Sequence, residues 1–132
     1  MFNIDQRSAS PIYQQLIQQV KEAILRGGLC AGDKMPSVRE LAGQLAINPN
    51  TIQKAYQELE RQGVIESLRG RGTFVCQSVV PTVDAQKQAK VSESLRRVVI
   101  EAHYLGLSAE KIMTMVEEHL HDLKLGGNRQ CT

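Results

Sequence analysis

The 132-residue chain has no tryptophan, two phenylalanines and three tyrosines, so its core must rest on Leu, Ile and Val. No uninterrupted apolar run approaches the roughly 18 residues that a membrane-crossing helix needs. The start, MFNIDQRSAS, lacks the basic residues and apolar stretch of a secretory signal, and a cytoplasmic location is expected. The cysteines, Cys30, Cys76 and Cys131, are odd in number, far apart and free of any C-x-x-C pair. That pattern argues against a disulfide framework or a thiolate zinc site and predicts three reduced thiols. A phosphate-binding glycine loop, a nucleophile elbow and zinc-hydrolase spacing are all missing, so no enzymatic activity and no cofactor are expected. Glu117 and Glu118 are adjacent and diverge on a helix, which makes them a poor acid/base pair. His119 and His121 likewise fall on different faces, and with His103 they give no metal site.

Net charge is also low, although the charged fraction of 23% is ordinary. The net value is only +2, which by itself does not suggest nucleic acid. Its distribution is more telling. Residues 1–77 hold nine Lys/Arg against seven Asp/Glu, and two of those arginines flank a glycine in RGRG.

What is present is an order of elements. Pro11 opens a helical pattern in which Ile12, Leu16, Ile17, Val20, Ile24 and Leu25 repeat at helical spacing until Gly27-Gly28. Ser37-Val38-Arg39-Glu40 has the form of a capping box, and Val38, Leu41, Ala42 and Leu45 give the short helix behind it one apolar face. Asn48 as N-cap and Pro49 as first helical residue start a third helix with Ile52, Ala55, Tyr56 and Leu59 as its buried stripe. Two short strands, 64–67 and 73–76, follow around the glycine-rich turn LRGRG.

This succession predicts a mainly α fold with a small β-wing (α+β): an N-terminal winged helix-turn-helix over 1–77. A linker over 78–87, interrupted by Pro81, leads to a C-terminal antiparallel helical hairpin over 88–125 and a disordered tail over 126–132. In the hairpin Val91, Leu95, Val98, Val99, Ala102 and Leu105 lie on one apolar face. Ile112, Met115, Val116, Leu120 and Leu123 form the other, after Gly106 and the N-cap Ser108. So short a hairpin has too little mass for a deep pocket, and its apolar faces are best explained by dimerisation.

The third helix has the chemistry of a major-groove reader. With its apolar stripe inward, Asn50, Gln53, Lys54 and Gln57 turn outward, and no acidic residue occurs from Asn48 to Gln57. Asn and Gln can bond adenine bidentately, and Lys can reach guanine or phosphate. Ser37 and Arg39 stand at a helix N-terminus, where a phosphate is favoured. Arg69 and Arg71, beside Gly70 and Gly72, suit a sugar-phosphate wall or a minor groove. Double-stranded DNA is the implied partner.

Three motifs run in sequence: G-D-K-M-P-S-V-R-E-L-A, then N-P-N-T-I-Q-K-A-Y-x-x-L-E-x-x-G, then R-G-x-G-T-F-V. Together, over about residues 11–75, they resemble the DNA-binding domain of the GntR family of bacterial regulators. The resemblance implies that Arg39 contacts DNA from the second helix. It puts Asn48, Asn50, Thr51, Gln53 and Lys54 in the recognition-helix motif, and Arg69, Gly70, Arg71 and Gly72 at the wing tip. Asn50 and Gln53 are uncharged where relatives carry arginines. Only about 55 residues follow the wing, which is similar to the short YtrA-type subfamily with its pair of dimerisation helices. The implied function is a homodimeric, sequence-specific transcriptional repressor or dual regulator on a palindromic operator, of a transporter operon and its own gene. The alternatives are an effector-responsive regulator with a small-molecule site at the dimer interface, and a winged-helix protein-interaction module.

Overall fold

The computed structural model describes residues 2–77 and 84–127, leaving aside the side chains of 124–127. Five helices and one two-stranded sheet follow in the order α1 (Ile12–Leu25), α2 (Val38–Leu45), α3 (Pro49–Arg61), β1 (Ile65–Leu68), β2 (Gly72–Val75), α4 (Ala85–Tyr104) and α5 (Ala109–Gly127). The chain divides into two compact units, one holding α1 to β2 and the other α4 and most of α5.

In the first unit α3 packs against both α1 and α2. Leu16 and Val20 of α1, Leu41 and Ala42 of α2, and Ile52, Ala55, Tyr56 and Leu59 of α3 close on Met35, Ile47, Ile65 and Val75. Burying each large aliphatic side chain of this set stabilises the unit by about 1.5–3 kcal/mol relative to exposure. The expected apolar stripes therefore face inward, except that Leu25 ends α1 half in solvent.

Local chemistry explains the boundaries. Ser37 Oγ accepts from Glu40 N at 3.1 Å while Glu40 Oε1 accepts from Ser37 N at 3.3 Å, the complete capping box. Asn48 Oδ1 accepts from Asn50 N at 2.9 Å, with Pro49 opening α3. Between these helices Ala46 ends α2 in the left-handed conformation, φ 54° and ψ 47°, and turns the chain so that Ile47 enters the core. The strands pair antiparallel with Ile65 opposite Val75 and Leu68 opposite Gly72, each one residue displaced from the expected spans. The segment 32–35 joins the far edge of β2 through Gly32 N to Val75 O at 2.9 Å, Val75 N to Asp33 O at 2.9 Å and Met35 N to Thr73 O at 2.7 Å.

In the second unit α4 starts inside the expected linker. Asp84 Oδ1 caps it by accepting from Gln86 N and Lys87 N, a start hidden in a polar run without apolar periodicity. The rest of the linker, 78–83, lies outside the described residues, as do residues 128–132 of the tail; 126 and 127 belong to α5. Gly106, at φ 87°, lies between the two helices, and Ser108 Oγ caps α5 by accepting from Lys111 N at 3.1 Å. Among the described residues α4 and α5 do not pack along each other, so the expected antiparallel hairpin is not formed and each helix keeps its apolar face for another partner. The two helices leave their apolar faces open. Of the eleven expected dimer residues, Ala102 is buried and Ile112 and Leu123 are half-buried, while the others are exposed, Leu105 at 75% and Val91 at 67%.

Cys76 is a free thiol, and burial pushes its pKa upward. The expectation of reduced thiols is met at Cys76, and Cys131 lies outside the described residues. Among the described residues, no helix is long and apolar enough to cross a membrane.

Candidate nucleic-acid interface

The exposed side of α3 is defined by what its other side buries. Ile52, Ala55 and Leu59 are fully enclosed and Tyr56 nearly so, which leaves Asn50, Gln53, Lys54 and Gln57 in solvent and Thr51 half-buried. Asn48 is committed as a cap through its carbonyl oxygen, leaving its amide NH2 as the group it can offer. The result is a polar, acid-free stretch held rigidly by a packed stripe, the property a groove-reading helix needs.

Arg39 projects from the first turn of α2, exposed like Ser37. The capping box fixes where that turn begins. It also brings the Glu40 carboxylate to the same helix end, so the attraction of this terminus for an anion depends on Arg39 as well as on backbone N–H groups. Tyr56 ties the two elements together: its hydroxyl donates to Pro36 O at 2.7 Å, across 20 residues of chain. Burial, and secondarily the Glu40 charge, push the Tyr56 phenol up to about 12. α3 thus holds in place the loop that launches α2. Sequence periodicity identifies Tyr56 as core but gives no sign of this bond, because its acceptor is a backbone carbonyl.

The wing tip is built by backbone geometry. Arg69, Gly70 and Arg71 span the turn between β1 and β2, Arg71 N donates to Leu68 O at 2.9 Å, and all three residues are exposed. Gly70 lies at φ 77° and Gly72 at φ 115°, where an L side chain is strained. A Cβ on Gly72 would also come within 3.1 Å of Lys34 Cε. That contact reveals a cation missing from the expected site. The pairing of segment 32–35 with β2 carries Lys34 to the base of the wing, with its side chain against Gly72. Its signal was the G-D-K-M-P motif, in which the lysine had no evident task.

The start of α1 also reaches this surface, because the Lys54 ammonium sits 3.9 Å from the centroid of the Tyr13 ring. At the other end of α3, Glu58 bonds Arg61 and Gln62. Those hydrogen bonds, Arg61 first, bring its carboxyl down to about 2. Among the described residues no three His, Cys, Asp or Glu side chains gather as a metal ion would require.

Comparison with known proteins agrees with this geometry. The family model for bacterial regulatory proteins of the gntR family matches residues 12–75, from the first residue of α1 to the last of β2. The HTH-type transcriptional repressor YtrA of Bacillus subtilis (strain 168) is 48% identical over 126 residues, covering 96% of this chain and 97% of that protein. The crystal structure of a transcriptional antiterminator from Listeria monocytogenes EGD-e superposes with a TM-score of 0.85 at 39% identity, over 94% of this chain and 92% of that one. The DNA-binding domain of AraR in complex with operator ORX1 has a TM-score of 0.52 and 29% identity, over 57% of this chain and 96% of that one.

Proposed function

The chain belongs to the GntR family of bacterial regulatory proteins, and we propose that it works as a homodimeric transcriptional repressor whose two winged domains each read one half of a palindromic operator. The observation that carries this reading is the division of α3 into an apolar face locked in the core and an exposed, acid-free face bearing Asn50, Gln53 and Lys54. In this role Asn50 and Gln53 meet base edges, Lys54 meets a base or phosphate, and Asn48 and Thr51 border the groove. Ser37 and Arg39 position the domain on one phosphate run, and Arg69 to Gly72 with Lys34 follow the sugar-phosphate wall beside the wing. The operator complex of AraR, a protein with the same winged domain, supports double-stranded DNA as the ligand.

Dimerisation is supported by the open faces of α4 and α5. Val91, Leu95, Val98, Val99 and Leu105 on one helix, and Met115, Val116 and Leu120 on the other, leave more apolar surface in water than isolated helices tolerate well. A second copy would cover it through an isologous contact and give the pair of winged domains a two-fold axis, which is what a palindromic site matches.

The test is selection from a randomised duplex pool with the full-length protein. Anisotropy on the enriched duplex and on its scrambled counterpart, at two salt concentrations, then completes the measurement. An inverted repeat bound tightly, selectively and in a salt-sensitive way is the expected outcome. A pool that yields no enriched sequence would sink the assignment, and an enriched single half-site would sink the dimeric part of it.

A further inference from the structure

Resting on the assignment of α3 to DNA reading, we propose that Tyr13 is a positioning residue for recognition: its ring holds the Lys54 ammonium ready at the face offered to the duplex without bringing a counter-charge to it. Tyr13 is the second residue of α1 and packs half-buried against the core. Its hydroxyl accepts from Gln14 Nε2 at 3.2 Å, and Lys54 Nζ stands 3.9 Å from the ring centroid.

Lys54 has an obvious rival partner one turn along its own helix, Glu58, at the spacing where a lysine and a carboxylate commonly pair. That carboxylate is engaged elsewhere. Glu58 Oε2 accepts from Arg61 Nε at 2.9 Å and Oε1 accepts from Gln62 Nε2 at 2.9 Å. The arrangement leaves the ammonium to the ring, and the distinction matters for DNA. A carboxylate would cancel the lysine charge and repel a phosphate, whereas the ring quadrupole attracts the cation without adding net charge. The ammonium keeps its N–H donors on the side away from the ring for a phosphate oxygen or a guanine edge. Tethering a long, flexible side chain before binding also removes part of the ordering cost that DNA would otherwise impose. The ring is the right group for this task because it steers the charge and leaves it unspent.

The experiment uses the duplex enriched by the wild-type protein and measures Kd for Tyr13→Leu, Tyr13→Phe, Lys54→Met and the Leu/Met double variant. Removing the ring should raise Kd about two- to fivefold, the scale of an exposed cation–π contact. Tyr13→Phe, which keeps a ring and drops the hydroxyl, should retain most of the affinity. In the Lys54→Met background, Tyr13→Leu should add nothing, since the two residues act as one unit. A Tyr13→Leu loss that persists in that background, as it would if the change merely loosened the fold, overturns the inference. Loss by Tyr13→Phe as large as by Tyr13→Leu overturns it as well, because the hydroxyl and not the ring would then be at work. If the wild-type protein enriches no duplex, the DNA-reading assignment fails and this inference fails with it.

Discussion

Tyr56 and Tyr13 show how much a single side chain can decide beyond its hydrophobicity. Each presents a ring to the core and a polar property to the interface: Tyr56 a hydroxyl to Pro36 O, Tyr13 a ring face to Lys54. Tyr56→Phe keeps the packing and abandons the Pro36 carbonyl, and should cost about 1 kcal/mol of unfolding free energy. It should also change the alkaline limb of stability. The folded phenol titrates near 12 against an ordinary 10.0, so the native state holds its proton more tightly than the unfolded chain does. This contribution is fully present below pH 10 and is lost as pH rises towards 12, at up to about 1.4 kcal/mol per unit. Urea melts at neutral pH and between pH 10 and 12 will check this. If the Phe variant declines as steeply as the wild type over that window, another group is responsible.

At the scale of elements, short-range chemistry sets most boundaries. The eight-residue α2 would be marginal alone; the reciprocal bonds of Ser37 and Glu40 satisfy its first turn, and Leu41 and Ala42 anchor it. The turn that leads on to α3 carries a cost. Ala46 is the sole non-glycine residue at positive φ among those described, and its Cβ crowds the following carbonyl. Because Ala46 is exposed and its backbone already lies where glycine is at ease, Ala46→Gly should stabilise the domain by about 0.5–1 kcal/mol, the steric relief exceeding the added unfolded-state entropy. Thermal melting of the two proteins decides this, and a lower midpoint for the glycine variant would show that the turn carries no such strain. The start of α4 illustrates the opposite situation. Asp84 is a good cap, but residues 84–90 hold no apolar side chain larger than alanine, and without an apolar repeat the first turn of this helix reads as linker up to residue 87.

At the scale of the molecule, the two units differ in how far each can stand alone. The buried cluster of the first lies entirely between Leu16 and Val75, so a chain ending at Gln77 should fold. The second buries Ala102 and little else among the expected interface residues, and its exposed apolar faces need a partner. Truncation after Gln77 should therefore give a folded monomer by light scattering. Its affinity for the enriched duplex should be lower by roughly a hundredfold or more, as two linked half-site contacts become one. Undiminished binding by that fragment would count against a dimer as the DNA-binding species.

The winged helix-turn-helix, the faces of its helices, the exposed groups of α3 and the glycine turn of the wing were all legible in the order of residues. Caps, helical periodicity and positive-φ turns are encoded within a few residues of where they act. Three features emerge only once the chain is folded: Lys34 joins the wing, Tyr56 bonds Pro36 and Tyr13 meets Lys54. The three noncovalent contacts join segments far apart in the chain, and their geometry follows from how the helices and strands pack. Residue spacing alone carries no record of that packing.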